Sequence, residues 1–398
     1  VTSPQRAPGG FPVVGIIGGG QLARMCAAPA AELAITLSVL AEAPDAAAAQ
    51  VIPSAPVGSH ADTDAVLAFA RECDVVTFDH EHVPSEVLDA LVAEGIPLHP
   101  SPAALHFAQD KLAMRHRLTE IGVACPAWAQ ARSLTEVEEF AERVGWPVVA
   151  KTPRGGYDGK GVRVVESASE IADWLDSVGA DGPMRDGVLL EERVDFVREL
   201  AVVIARSPSD QAAAWPVVET VQTEGICTEV LAPAPGLDPH LASVATEAGL
   251  RIASQLGVTG VFAVEMFEVR DPETGRPGYV VNELAMRPHN SGHWSMDGAI
   301  TGQFEQHLRA VLDLPLGAPS AREPHTVMAN VLGGDYPELY PAYRHIMARD
   351  PGLKVHLYGK GVRPGRKIGH VNVSGTDLAD LRERARHAAD YLAGVITE

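Results

Sequence analysis

Residues 148–165 read VVAKTPRGGYDGKGVRVV. Two β-branched apolar runs flank a loop, so the stretch predicts strand, loop, strand. Gly155, Gly156, Gly159 and Gly161 let the loop take positive φ and bring its backbone close to a ligand. Lys151 ends the first strand and Lys160 lies inside the loop. An ordinary long hairpin needs neither the four glycines nor the two lysines. A mobile hairpin with a lysine at its base and another near its tip is suited to closing over a triphosphate and neutralising it. The glycines do not run into a helix, so this is not a Walker loop.

Further on, FAVEMFEV (262–269) and GYVVNEL (278–284) flank the turn-rich segment RDPETGRPG. Paired as a hairpin, they place Glu265 and Glu283 equally far from a centre near Thr274, facing each other. Like charges directly opposite destabilise a sheet. A bound divalent cation removes that penalty, and Mg2+ takes one or two carboxylates plus nucleotide phosphates. Glu265 and Glu283 are therefore the expected metal ligands, for Mg2+ or alternatively Mn2+. Glu268 falls on the other face. The second strand runs into NELAMRPHNSGHW (282–294), which adds Arg287, His289 and Asn290 within ten residues of its carboxylate.

At the N-terminal side, GIIGGGQLARM (15–25) fits GxGxxA through Gly18, Gly20 and Ala23. Strand, glycines, helix is an order in which backbone N–H groups hold a phosphate. Glu42, ending the next strand, stands where a dinucleotide fold keeps its ribose-binding acid. An anion site, a dinucleotide site and a turn that only packs a helix all stay open. TFDHEHVP (77–84) clusters Asp79, His80, Glu81 and His82 at another strand end, with Glu81 as a substrate-contact candidate and a zinc site unsupported by spacing elsewhere. YGKGVRPGRKIGH (358–370) gathers Lys360, Arg363, Arg366, Lys367 and His370, which suits an anionic ligand.

That basic cluster stands out because the 398-residue chain carries a net charge of −20. Such a surplus disfavours nucleic acid as a partner. Hydrophobic residues make up 46%, enough for several cores. No stretch approaches the roughly 20 apolar residues that span a membrane, and VTSPQRAPGGFPVVG lacks the pattern of a signal peptide. The four cysteines form no CxxC pair. These features predict a cytoplasmic protein. Strand and helix patterns alternate over the first hundred residues, so a parallel α/β sheet is expected there, including a short strand at IPLHP. One long helix is expected from Pro102 to Ile121.

The glycine loop between strands, followed by the acid pair, resembles the ATP-grasp fold. Within that superfamily GGGQLARM, GGYDGKG, NELAMRPHNSGHW and RPGRKIGH together resemble the family of 5-(carboxyamino)imidazole ribonucleotide synthases, in order and over nearly the whole chain. The resemblance implies an α/β ATP-grasp protein: an N-terminal parallel domain (1–115), a lid (116–190) and a C-terminal domain with the metal site (191–398). It implies carboxylation of the amine of 5-aminoimidazole ribonucleotide with ATP and bicarbonate, through carboxyphosphate, in purine biosynthesis. It implies ATP and Mg2+ without biotin or NAD, and a homodimer.

By the same resemblance Lys111, Lys151, Gly156 to Gly161 (with Tyr157, Asp158, Gly159 and Lys160), Glu191, Glu192, Arg193, Val194, Glu199 and Asn282 surround ATP beside Glu283. Gly20, Gln21, Glu81, Tyr157, Asp158, Arg287, Lys360, Arg363 and Arg366 fall at ribonucleotide positions. Asp158, Arg287, His289 and Asn290 are the implied catalytic residues, the last three where bicarbonate is activated. Arginine and imidazole would stabilise an anion formed beside the metal. The chain departs from the family's Glu-x-Glu-Asn at residues 79–82, and Gln222 stands where some relatives have histidine. A formate-using glycinamide ribonucleotide transformylase is the nearer rival. An NAD(P)-dependent reductase would explain the first glycine motif but leave the second loop and the acid pair unused.

Overall fold

The computed structural model describes residues 4–156 and 161–397. Strands β1 (Val13–Ile17), β2 (Thr36–Leu40) and β3 (Val75–Phe78) form a parallel sheet in the order β2-β1-β3. Every residue of β1 is buried, as a strand covered on both faces requires. At Gly18 the chain turns with φ +105°, where a Cβ would meet the His80 ring at 2.9 Å. The helix Gln21–Met25 follows. The expected strand at IPLHP reduces to a single bridge, Val76 with Leu98. Pro97 and Pro100 flank it, and proline has no N–H to extend a ladder.

The helix expected over 102–121 is two helices, Pro102–Gln109 and Lys111–Glu120. Asp110 between them is extended (φ −132°, ψ 106°), and its side chain accepts from Ala113 N at 3.0 Å and Arg154 Nε at 2.9 Å. An N-cap residue has to leave helical φ/ψ, so the break and the cap are one feature. Its consequence is positional: Lys111 starts a helix at the base of the next sheet, where its N–H donates to Pro153 O at 2.8 Å.

That sheet contains β4 (Trp128–Ala131), β5 (Val148–Lys151), β6 (Val162–Val165) and β7 (Val188–Glu192), antiparallel in the order β4-β7-β5-β6. β5 and β6 are the strands of the expected glycine-rich hairpin, with Lys151 opposite Val162. Val137, Phe140, Val148, Ile171, Trp174 and Leu190 form its core, and every member of this cluster comes from residues 129–190. This sheet therefore has an apolar core of its own. The expected domain limits at 115/116 and 190/191 fall inside the helix Lys111–Glu120 and inside β7; the lid's strands run from Trp128 to Glu192.

The third unit is a nine-stranded antiparallel sheet. Its strands are β8 (Phe196–Arg206), β9 (Ala212–Ala214), β10 (Val218–Thr223), β11 (Ile226–Ala232), β12 (Gly260–Arg270), β13 (Pro277–Ala285), β14 (His325–Leu332), β15 (Lys354–Leu357) and β16 (Lys367–Gly375). The order is β13-β12-β8-β10-β11-β14-β16-β15, with β9 on β8. The C-terminal strands thus extend the sheet that carries the acid pair. The helix Pro239–Gln255, capped by Asp238, lays Leu241, Ala245, Ala248 and Ile252 into the core at a spacing of three to four residues. Ile17, Phe78, Leu105 and Met114 share one core with Leu200, Val202, Phe262 and Val264. First and third units are therefore packed together through apolar side chains, and the lid keeps a core of its own.

Candidate active site

The β12–β13 register pairs Glu265 with Glu283, as the count from Thr274 predicts. It then shifts: Met266 pairs with Val281, leaving Asn282 as a bulge. A bulge re-aims side chains, and here Asn282 Oδ1 accepts from Lys151 Nζ at 3.0 Å while Asn282 O accepts from Arg115 Nη2 at 2.6 Å. Each acid has a nitrogen donor as its neighbour. His289 Nε2 lies 3.0 Å from Glu265 Oε1, and Lys111 Nζ lies 3.5 Å from Glu283 Oε1. Burial pushes the Glu265 carboxyl up, but the His289 contact outweighs it and holds the group below the ordinary range. Opposed hard oxygen donors beside Lys111 and Lys151 fit Mg2+, which would take its remaining ligands from nucleotide phosphates.

Glu199 on β8 lies opposite Phe267 of β12. Burial first, then the charge of Glu265, pushes its carboxyl from 4.5 to about 7, against a hydrogen bond from Gln222. The departure at Gln222 thus has a structural partner. A carboxyl raised in the folded state stabilises the protein, relative to an ionised one, below its unfolded pKa, and that advantage is lost as pH rises through 7. Glu199→Gln should therefore match the parent near pH 5. It should be the more stable protein at pH 8 by about 1–3 kcal/mol, discounted from the full shift for partial exposure. Thermal unfolding across pH 5–8 without nucleotide checks this; a gap that stays constant would show that Glu199 titrates normally.

Lys151 reaches Glu191 Oε2 at 2.7 Å, and Arg115 Nε reaches Glu191 Oε1 at 2.6 Å. Both oxygens of this buried carboxylate are thus engaged inside the protein. Burial would raise its pKa, and the two cations together hold it low. Glu192 Oε1 accepts from Ala127 N at 2.8 Å. The side chains of Glu191 and Glu192 position Lys151 and the lid strand. Arg115 was not anticipated. A lone arginine in an amphipathic pattern gives no signal, although its complete burial makes it a central strut.

The N-terminal glycine turn is capped by two carboxylates. Glu42 Oε2 accepts from Gly19 N at 3.2 Å, and Asp79 Oδ1 accepts from Ala23 N at 2.7 Å. A Cβ at Gly20 would lie 2.0 Å from Asp79 Oδ2, so that glycine admits the carboxylate. Glu42 is not presented as a ribose-binding acid: it faces His80 Nε2 at 3.6 Å, and that contact, against burial, draws its pKa down to about 2. Glu42, His60 and His80 bring ligand atoms within 4.8 Å of one another. His80 Nδ1, however, takes the His82 amide at 3.2 Å, which leaves the ring proton on Nε2 towards Glu42. The cluster is a histidine–carboxylate pair, and the zinc reading of TFDHEHVP gains no support.

The two chain ends do meet. Gln21 Oε1 accepts from Lys360 Nζ across 339 residues, and Gln50 Nε2 donates to Gly359 O at 2.7 Å. Arg363 and Arg366 lie exposed on the loop between β15 and β16, with Arg366 Nη1 donating to Gly361 O at 3.2 Å. Glu81 Oε2 pairs with Arg287 Nε at 2.9 Å, joining the end of β3 to the segment after β13. Burial pushes the Glu81 carboxyl up, and Arg287 more than reverses it. His289 Nδ1 meets Ser291 Oγ at 2.9 Å. The Asn290 amide forms a reciprocal pair with Asn330, at 3.0 and 2.8 Å, so Asn290 is held in place by a residue the sequence did not single out. Gly156 and Gly161 have φ of +81° and +76°, as the loop requires. Tyr157, Asp158, Gly159 and Lys160 lie outside the described residues.

A glycine-rich hairpin on its own small sheet, facing an opposed acid pair, behind a parallel N-terminal domain, defines an ATP-grasp ligase. Residues 116–304 match the ATP-grasp domain family, 12–109 the ribonucleotide synthetase preATP-grasp domain, and 326–384 the phosphoribosylaminoimidazole carboxylase C-terminal domain. The chain is 52% identical over 385 residues to N5-carboxyaminoimidazole ribonucleotide synthase of Mycobacterium tuberculosis, covering 96% of this chain and 88% of that one. The synthetase of Thermus thermophilus superposes with a TM-score of 0.82 at 36% identity, covering 97% of this chain and 99% of that one. The synthase of Aspergillus clavatus, crystallised with ADP and 5-aminoimidazole ribonucleotide, superposes with a TM-score of 0.83 at 30% identity, covering 96% and 98%. The chain belongs to the N5-carboxyaminoimidazole ribonucleotide synthase family.

Proposed function

We propose that this enzyme carboxylates the amine of 5-aminoimidazole ribonucleotide with ATP and bicarbonate, and that the residues gathered around the acid pair carry the reaction. A bicarbonate oxygen attacks the γ-phosphorus of ATP, giving ADP and carboxyphosphate. The amine then attacks the carboxyl carbon, phosphate leaves, and the amine loses a proton to give the carbamate. Glu265 and Glu283 would hold Mg2+, which neutralises nucleotide phosphates when bound. Lys151, fixed by Glu191 and Asn282, and Lys111, at the lid's base, supply positive charge to the phosphates. Arg287 is oriented by Glu81 through Nε, and its Nη1 donates to Pro288 O at 3.3 Å. Its guanidinium is thereby oriented to stabilise the carboxyphosphate anion. Asp158 and Tyr157 are assigned to the ribonucleotide by resemblance.

The observation that carries this reading is the opposition of Glu265 and Glu283 on paired strands next to Lys111, Lys151 and His289. The Gln21–Lys360 contact supports a ribonucleotide site built from both ends of the chain. Gly20→Val is a poor probe of that site, because the added carbons would strike Asp79 whether or not substrate binds. Lys360→Met and Arg366→Ala are the better variants. Each should weaken 5-aminoimidazole ribonucleotide about ten- to a hundred-fold, the value of a charge-assisted hydrogen bond of roughly 1.5–3 kcal/mol, and leave ATP binding within about two-fold. Calorimetry with each ligand separately tests this. Loss of ATP affinity in place of ribonucleotide affinity would refute the two-ended site. We also place the enzyme in the cytoplasm as a homodimer. None of the four cysteines forms a disulfide, and no helix among the described residues is long and apolar enough to cross a membrane.

A further inference from the structure

His289 stands on a segment with little regular structure, yet its Nε2 is held 3.0 Å from Glu265. Between Pro288 and Trp294 the only element is a three-residue turn, Asn290–Gly292. The side chain of Gln303 supplies what a neighbouring strand would. Its Oε1 accepts from His289 N at 2.9 Å, and its Nε2 donates to His289 O at 2.9 Å. Both bonds go to the backbone of one residue, so the orientation of the amide is fixed by groups of known polarity. The second amide hydrogen therefore points to His293 Nδ1, 2.7 Å away, and the neutral His293 ring carries its proton on Nε2.

Gln303 is fully buried at the first turn of the helix Gln303–Val311. Its own N–H donates to Ser295 Oγ at 2.9 Å, and that hydroxyl donates to Gly292 O at 2.6 Å. At Gly292 the backbone comes so near that a Cβ would lie 2.4 Å from Gln303 Oε1. Every side-chain bond of Gln303 thus ends on the segment that presents His289. We propose that Gln303 is a positioning residue for the carboxylation: it clamps the His289 backbone so that the imidazole stands at Glu265, and it sets the His293 tautomer that completes the clamp. The inference rests on the placement of His289 in the reactive site.

Gln303→Met keeps length and apolar volume but removes the amide. Gln303→Glu keeps the shape but sets a carboxylate against the His289 carbonyl. Both should be compared with His289→Asn and with the Gln303→Met/His289→Asn double variant, by ribonucleotide-dependent phosphate release and by thermal unfolding. Gln303→Met should lower kcat about ten- to a hundred-fold with KM for ATP within about three-fold, and the double variant should be no slower than His289→Asn alone, because residues acting through one another are not additive. Gln303→Glu should regain activity relative to the parent as pH falls from 8 to 6, since a protonated carboxyl can donate to His289 O. If His289→Asn is fully active, the placement of His289 fails and this inference with it. If His289→Asn is impaired while Gln303→Met is not, or if the two losses multiply, Gln303 is a packing residue and the inference alone is overturned. Should Gln303→Met not fold, the pH response of Gln303→Glu decides: parallel profiles overturn the clamp.

Discussion

Glu265→Gln and Glu283→Gln are each expected to slow ribonucleotide-dependent phosphate release about 100- to 1000-fold, the range for removing a preorganised electrostatic partner. Stability should separate the two variants. The two acids are direct cross-strand partners, and like charges so placed are unfavourable by about 0.2–1 kcal/mol. Without Mg2+ and nucleotide, Glu283→Gln should melt at the parent temperature or slightly above it, whereas Glu265→Gln should melt below it, because the fold holds the Glu265 carboxyl below its ordinary pKa and so favours its charge. Glu265→Gln should be the slower of the two, because it also takes the negative charge from the group that faces His289 Nε2. Phosphate release over a Mg2+ titration, with melting curves on the same preparations, gives both readouts. Normal turnover by both variants at low Mg2+ would refute the metal assignment.

Arg115→Met is expected to cost about 3–5 kcal/mol of stability, the range for removing one partner of a buried ion pair. Arg115 is fully buried and Glu191 is 3% exposed. The variant leaves Glu191 with Lys151 alone and takes the donor from Asn282 O. The sign with pH follows from Glu191, whose pKa is held low in the folded protein. That contribution is present above its unfolded value near 4.5 and is lost as pH falls through the folded value. The deficit of Arg115→Met should therefore be largest near pH 7 and shrink below about 4.5. Adding Glu191→Gln should restore part of the loss, since the unpaired charge is then gone. Denaturant unfolding of the single and double variants measures it. A deficit under about 1 kcal/mol would mean that the site stands without this strut.

The acid pair was legible because strands alternate with period two and a hairpin counts symmetrically from its turn. The bulge at Asn282 was not. It shifts the register by one residue between Glu265 and Met266, and its carbonyl is taken by Arg115, 167 residues earlier. The break at Asp110 was missed because apolar spacing continues through it; the partner that confirms the cap is Arg154, on the lid. Nothing in the local pattern of Glu191 and Glu192 shows that their carboxylates meet Arg115, Lys151 and Ala127. At the glycine turn, Glu42 and Asp79 occupy amides that the motif alone would offer to a phosphate.

Local pattern by itself determined the parallel first sheet, the glycine-rich hairpin, the opposed acids and the family that these motifs mark. Such features depend on residues within a few tens of positions, where strand and helix periods and glycine's backbone freedom decide the outcome. Only the tertiary structure decided which polar group each functional side chain meets. Lys360 reaches Gln21 across 339 residues, Arg287 reaches Glu81 across 206, and Arg115 reaches Glu191 across 76. A carboxylate in an extended chain has no assigned partner. Whether it binds a metal, fixes a lysine or caps a helix depends on which cation or N–H the folded sheets bring within about 3 Å, and on how little water is left to compete.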